Sequence, residues 1–467
     1  AVVEEDPSAD WSLTAIYLYI GIGIFIMIKV QKSNLSSRCS FPYGKKNSIT
    51  SVHSCVCVIY GSRLRYEYTM AVLMDEELKL AISSTGAANN ESDIVIVNDT
   101  LPYGNFFTDF LCQNKLCVLK GSCKFWKSSN QWTIKNKETG ELEIDTAYLR
   151  NNFGHAIVPV ANCNKFDYNS HSKEKMTLLT YLDYLDQTHV KDLLYLKDWH
   201  FTKVFPGYKA YEVPIYFSSD WLNEFCDAGL KDDYRFVYIG PNDSWTPFHA
   251  DVFRSYSWSA NICGKKEWVF YPPGKEKKLA SRKDSLPTDV KAAMTYENDT
   301  DKIVVLQEEG DIIFVPSNWF HQVTNIGKTI SINHNWINGT NIHFVWNYLK
   351  TCLEEVKSAI NDCSLASDWL EQCQILLKAV EGIDYYEFYR LLKCIGKNRV
   401  TLIKNSLNNN YKSNVNHALF DLIRIDKIIE EVIASGQMSE TNMCCNEYKD
   451  YQKLDTEIKE IVNKFGL

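Results

Sequence analysis

The sequence predicts an α+β protein centred on a double-stranded β-helix of the jelly-roll or cupin type. Two observations predict it. Roughly eight short runs rich in β-branched and aromatic residues lie between Arg235 and Trp336. Gly240-Pro241, Gly264, Pro272-Pro273-Gly274, Gly310 and Gly327 punctuate them as turns. After residue 342 the apolar period lengthens to three and four, through Phe344, Val345, Tyr348, Leu349, Cys352 and Leu353, as in amphipathic helices. The chain therefore divides into an extension over 1–69, an α/β support region over 70–190, a barrel over 191–341 and a helical region over 342–467.

Bulk properties set the class. The chain has 467 residues, 45% of them apolar and 13% aromatic, enough for a large folded core. A net charge of -8 argues against a general nucleic-acid surface. The 15 cysteines form no Cys-x-x-Cys pair, which argues against a zinc ribbon. An odd, scattered set fits a reducing compartment, and Cys55, Cys57, Cys444 and Cys445 are expected to be ordinary thiols.

Residues 13–28 are uncharged and about as long as the shortest membrane spans. Acidic residues precede them and basic ones follow, so a span would leave the rest of the chain in the cytosol. The competing expectation is that 1–69 is an extension foreign to the fold, with Met70 as a candidate start.

From Met70 the elements follow in order. Residues 71–82 read as a short helix, and Asn105–Cys112 as another, with Phe106, Phe107 and Phe110 inward. Cys117–Leu119 reads as a strand and Met176–Tyr184 as a helix. Leu193–His200 alternates as a strand that places Tyr195 on one face and Leu194 and Leu196 on the other. A helix opens after Ser218, Ser219 or Asp220, each able to cap it. The barrel strands are expected at 235–239, 249–251, 256–263, 267–271, 303–306, 311–315, 320–324 and 329–336. The polar stretch 274–302 reads as a solvated loop or as a rim that helps choose the substrate. Helices are expected over 369–380, 386–395 and 418–433, packing on the barrel, forming a homodimer or binding a protein substrate.

Chemistry concentrates on two of the strands. His249 and Asp251, two apart, share a strand face and can offer a nitrogen and an oxygen to one metal. His321 supplies a third ligand. Two histidines and a carboxylate with open positions suit non-haem Fe(II) and O2. One strand histidine alone is more often a hydrogen-bonded core residue, but three ligands beside Lys266 favour the metal. A zinc site on the same triad would leave Lys266 unexplained. His200, His334 and His343 are expected to be structural. Lys266 points into the barrel, where its charge needs a partner. A dicarboxylate such as 2-oxoglutarate would be that partner. Thr246 could donate to the same carboxylate, and Asn333 and Asn335 share a face on the last strand.

These motifs resemble the Jumonji C (JmjC) family of 2-oxoglutarate oxygenases. The matching pieces are Thr246-Pro-Phe-His249-Ala-Asp251, the run from Trp258 through Lys266 to Trp268, Pro272-Pro273, and Gly310-Asp-Ile-Ile-Phe-Val-Pro316-Ser-Asn-Trp319-Phe-His321-Gln-Val. The resemblance covers about residues 190–340. It implies iron on His249, Asp251 and His321, with the cosubstrate carboxylate on Lys266 and with Thr246 and Tyr195 as helpers. Ser259 stands where some relatives carry asparagine, with Asn333 or Asn335 left to compensate. The implied chemistry converts 2-oxoglutarate and O2 to succinate and CO2 while hydroxylating a side-chain carbon.

Tyr195–His200, Val213–Asn223 and His249–Ser259 resemble one branch in particular. That branch implies a cytoplasmic lysyl 4-hydroxylase of the eukaryotic translation termination release factor. A JmjC lysine demethylase is the alternative reaction, with the nucleus as alternative compartment. A non-enzymatic binding module is the third reading, opposed by the intact triad and Lys266. No PHD-like or Tudor-like module is evident, which weakens the chromatin reading.

Overall fold

The computed structural model describes residues 73–83, 94–98, 100–167, 170–187, 191–229, 232–280, 286–293, 299–408, 415–435 and 445–466. The apolar run 13–28 and the thiols Cys55, Cys57 and Cys444 lie outside these. Among the described residues no helix is long and apolar enough to cross a membrane.

Eleven strands form one sheet. In chain order they are β1 (Val95–Val97), β2 (Cys117–Leu119), β3 (Ile157–Asp167), β4 (Ser170–Thr177), β5 (Leu194–Trp199), β6 (Arg235–Gly240), β7 (Trp245–His249), β8 (Tyr256–Tyr271), β9 (Ile303–Gln307), β10 (Ile312–Val315) and β11 (Phe320–Trp336). The neighbour order is β1-β2-β10-β8-β11-β6-β5-β3-β4, with β9 on β8 and β7 on β11. β1 and β2 are parallel; the other pairs are antiparallel.

Two expectations about this sheet need correction. The sequence predicts Gly264 and Gly327 as turns between short strands. Instead β8 and β11 each run straight through, paired with one another along most of their length. Gly264 has φ +72° and Gly327 φ +75°, a region open to glycine at little cost. At Gly264 the glycine is required for room as well, since a Cβ would sit 2.5 Å from the Lys328 carbonyl oxygen. Register shifts flank it, between Asn261 and Cys263 and between Cys263 and Lys265. Such bulges bend a long strand without ending it. One half of β8 therefore pairs with β10 and the other with β9.

The stretch 274–302 is also more than a solvated loop. Val290 is fully buried with Phe248, Val269 and Tyr271. The Phe248 N–H donates to the Thr288 carbonyl at 2.8 Å, and the Val290 N–H to Gln322 Oε1 at 2.7 Å. Within the insertion, Thr288 and Val290 are packed against β7.

The surrounding helices follow their sequence signals closely. The aromatic run folds as a helical turn, Tyr103–Phe106, continued by a wider π-turn, Phe107–Leu111; Phe106, Phe107 and Phe110 are buried. Asp220 caps the helix Trp221–Gly229 by accepting from the Asn223 N–H at 2.9 Å. After β11 come the helices Ile342–Ala359, Trp369–Glu381, Tyr385–Asn408, Val415–Ala434 and Cys445–Lys464. Their apolar faces form a second core, which reaches Trp221, Leu222 and Phe253 beside the barrel.

Candidate active site

β7 ends at His249, and His321 lies directly opposite on β11. Their rings are 4.5 Å apart, centroid to centroid. Asp251 is not on the strand, as the spacing predicted. It follows β7 in extended backbone, φ -58° and ψ 153°, and immediately precedes the short turn Val252–Arg254. That extended backbone still returns the carboxylate to the histidines. One ligand atom from each of His249, Asp251 and His321 lies within 4.8 Å of the others.

Hydrogen bonds set the state of each ligand. His249 Nδ1 lies 2.7 Å from the Pro247 carbonyl oxygen, and His321 Nδ1 lies 2.9 Å from that of Trp319. A carbonyl can only accept, so each Nδ1 carries the proton and each Nε2 presents a lone pair. The same device serves both histidines: the carbonyl two residues back. Burial, and then the His321 ring, push the His249 imidazole down to about 4, so it is neutral at ordinary pH. Asp251 Oδ2 accepts from Ser257 Oγ at 2.7 Å and Oδ1 from Asn335 Nδ2 at 2.9 Å. Two imidazole nitrogens and one oriented carboxylate make a donor set suited to a divalent first-row metal.

The second half of the site lies on β8 and β5. Lys266, Trp268 and Phe270 alternate onto one face of β8. The Trp268 and Phe270 rings lie 5.5 and 5.6 Å from the His321 ring, so Lys266 enters the same interior as the triad. Its ammonium, on a residue 2% exposed, donates to Tyr195 Oη at 3.1 Å. Among the described residues it has no carboxylate partner. Burial, and then Lys197, push it down to about 7. Such a cation is costly to leave unpaired, and one end of a dicarboxylate fits it. Gly240 makes room for this arrangement. A Cβ there would lie 2.7 Å from Tyr195 Cδ2 and 2.4 Å from Ser244 Oγ.

Thr246 reaches the same interior through a bulge. It pairs with Val323 while His249 pairs with His321, three residues on β7 against two on β11. The extra residue lets Thr246 and His249 share a face. Ser257 and Asn335 face each other across β8 and β11, and both end on Asp251. Ser259 and Asn333 are the next pair along that face. Asn333 Nδ2 donates to Ser331 Oγ at 3.0 Å, whereas Ser259 Oγ is buried and unpartnered. Asn335 thus orients a metal-ligand candidate, and Asn333 and Ser259 do not touch the triad. His334 and His200 stand apart from it as expected. His334 Nε2 lies 2.6 Å from Tyr211 Oη and its ring packs on Trp258, while His200 Nδ1 lies 2.8 Å from Asp233.

Two residues escaped the sequence reading. Ser257 grips Asp251, a contact between side chains six residues apart that no strand period reveals. Lys197 lies two residues after Tyr195 on β5, with its ammonium 5.8 Å from the centre of the Tyr195 ring.

Proteins of known type are similar to this chain in sequence. A family model described as a cupin-like domain matches residues 104–341. A Gallus gallus protein named 2-oxoglutarate and iron-dependent oxygenase JMJD4 is 42% identical, covering 78% of this chain and 88% of its own. The chain belongs to the cupin-like JmjC oxygenase family. The Homo sapiens protein of the same name is 36% identical over 81% of this JmjC chain and 91% of its own. An Arabidopsis thaliana member, Arginine-specific demethylase JMJ20, is 32% identical over 72% of this chain and 78% of its own.

Proposed function

We propose that the chain is a 2-oxoglutarate- and Fe(II)-dependent protein hydroxylase. The observation that carries this is the shared interior of two half-sites: the triad His249, Asp251 and His321, and the buried Lys266, which among the described residues has no carboxylate partner, beside Tyr195. The names of the chicken and human relatives state the same two dependences. When bound, iron and 2-oxoglutarate supply oxidative activation of O2, coupled to loss of CO2 from the cosubstrate. The chain's own residues hold and orient. His249 and His321 offer Nε2, each held by the carbonyl behind it. Asp251 offers a carboxylate steadied by Ser257 and Asn335. Lys266 and Tyr195 hold the distal carboxylate, with Thr246 on the same face. Trp268 and Phe270 keep water from the His321 side.

The protein substrate in this reading is the eukaryotic translation termination release factor, hydroxylated at a lysyl side chain in the cytoplasm. The phrases Tyr195–His200, Val213–Asn223 and His249–Ser259 support that branch. The demethylase name of the Arabidopsis relative supports a second reading, removal of an N-methyl group by the same centre.

Mass spectrometry of release-factor and methylated arginine or lysine peptides, incubated with enzyme, Fe(II) and 2-oxoglutarate, separates the readings. Gain of one oxygen on a lysine supports the hydroxylase, and loss of a methylene supports the demethylase. A His249→Ala enzyme that turns over 2-oxoglutarate like wild type would refute the iron assignment.

A further inference from the structure

Asn325 is a fully buried amide with no assigned task. It lies on β11 opposite Lys266, as Val323 lies opposite Trp268 and His321 opposite Phe270. Cross-strand partners share a face, so the Asn325 side chain enters the interior that holds Lys266 and the triad. Its backbone is fixed on both sides. The N–H donates to the Ser244 carbonyl at 2.8 Å, and the carbonyl accepts from the Asp243 N–H at 2.9 Å. The side chain is fixed as well, because Nδ2 donates to Ser244 Oγ at 2.8 Å. That hydroxyl directs its own proton to the Pro241 carbonyl at 2.6 Å, so it can only accept from the amide. The orientation of the amide follows.

The second N–H of Nδ2 is on the side of Tyr195. A Cβ on Gly240 would lie 2.5 Å from Asn325 Nδ2 and 2.7 Å from Tyr195 Cδ2, so amide and ring meet over this one glycine. Burial pushes the Tyr195 hydroxyl up, and a hydrogen bond from Asn325 draws it back down. A phenolic oxygen has two lone pairs and one proton. Lys266 donates to one lone pair at 3.1 Å. Asn325 is placed to fill the other, which turns the Tyr195 proton away from both donors. Asn325 Oδ1, meanwhile, is buried and accepts from no donor among the described residues. A buried amide left half-satisfied is a poor stabiliser, so its presence calls for a task other than stability.

We propose that Asn325 is a positioning residue for the cosubstrate: with Lys266 it fills the lone pairs of Tyr195 Oη, and so makes the tyrosine a hydrogen-bond donor to the distal carboxylate. The inference rests on the reading of this interior as the 2-oxoglutarate site. Asn325 acts through Tyr195 and does not itself hold the cosubstrate. Without the amide, the hydroxyl keeps a free lone pair and its proton has no fixed direction.

The test is calorimetric titration of the full chain loaded with Mn(II), which accepts the same donors. Two ligands are used: 2-oxoglutarate, and 2-oxopentanoate, which lacks the distal carboxylate. Asn325→Leu, close in volume, is expected to weaken 2-oxoglutarate by about three- to tenfold, the scale of one neutral hydrogen bond, and to leave 2-oxopentanoate unchanged. Asn325→Asp is expected to weaken 2-oxoglutarate further, since the new carboxylate draws the Tyr195 proton and the Lys266 ammonium to itself. Tyr195→Phe is expected to lose 2-oxoglutarate affinity too, and Asn325→Leu to cause no further loss in that background. Circular dichroism melts confirm that each variant is folded, and Asn325→Ala replaces Asn325→Leu where that variant is not. Wild-type affinity in Asn325→Leu, equal weakening of both ligands, or losses that add in the double variant overturn the inference. The cosubstrate site still stands if Lys266→Met loses 2-oxoglutarate. Wild-type affinity for 2-oxoglutarate in Lys266→Met overturns the site and the inference together.

Discussion

Lys266 shows how a single residue converts burial into function. Its ammonium, on a residue 2% exposed, is bound among the described residues to Tyr195 Oη alone, and burial lowers it to about 7. The sign of the pH effect follows. Below about pH 7 the free protein already carries the charge that an anion needs. Above it, the free protein must take up a proton on binding. Affinity for 2-oxoglutarate is therefore flat at low pH and falls by about tenfold per unit above pH 7, until the higher value reached in the complex is passed. Titrations of the Mn(II)-loaded protein from pH 6 to 9 measure this. Lys266→Met should bind weakly with no such slope; a slope retained in that variant would assign the proton to another group. At this scale the sequence was most informative. Residue identity decides ligand chemistry, so His249, Asp251, His321 and Lys266 could be singled out before any fold was known. The protonated nitrogen of each histidine could not, because it depends on the carbonyls of Pro247 and Trp319 standing within 2.7 and 2.9 Å.

At the scale of the element, the site depends on departures from regular strands. Strict alternation would place Thr246 opposite His249; the bulge against β11 brings them to one face. Asp251 works from just beyond its strand. β6 closes with Gly240, whose missing side chain leaves space for the Tyr195 ring and Ser244. Gly240→Ala should overpack this corner, costing about 1–3 kcal/mol of stability. It should also weaken 2-oxoglutarate binding, because the displaced ring is the partner of Lys266. Thermal melts and the same titration check both effects; a variant as stable and as tight-binding as wild type would contradict this account. Glycines mislead a sequence reading here. Gly264 and Gly327 carry turn chemistry but lie inside long strands, because cross-strand pairing continues on both sides of them. The insertion 274–302 likewise reads as polar, yet Val290 buries itself under partners distant in sequence.

At the scale of the whole molecule, the helical region is tied to the barrel by buried charge. Asp421, on the helix Val415–Ala434, accepts from Arg399 Nε at 2.7 Å and from Trp221 Nε1 at 3.1 Å. Arg399 also forks onto Glu224, with both contacts at 3.0 Å. Trp221 itself donates its backbone N–H to the Ile337 carbonyl, one residue past β11. The Asp421 side chain is fully buried and that of Arg399 nearly so. Asp421→Ala removes one of two carboxylates facing that guanidinium. It should cost about 3–5 kcal/mol, the scale for breaking a buried pair. Denaturant unfolding measures the loss, and an unchanged midpoint would show that Glu224 alone suffices.

The kind of protein is legible in the amino-acid sequence alone. Strand composition, the change of period after residue 342 and the identity and order of the ligands are local properties, and each survives any detail of packing. How the site is held depends on the folded arrangement. Asn335 meets Asp251 and Thr246 turns to the face of His249 because of cross-strand register. Those are relations between residues far apart in the chain, and no local pattern encodes them.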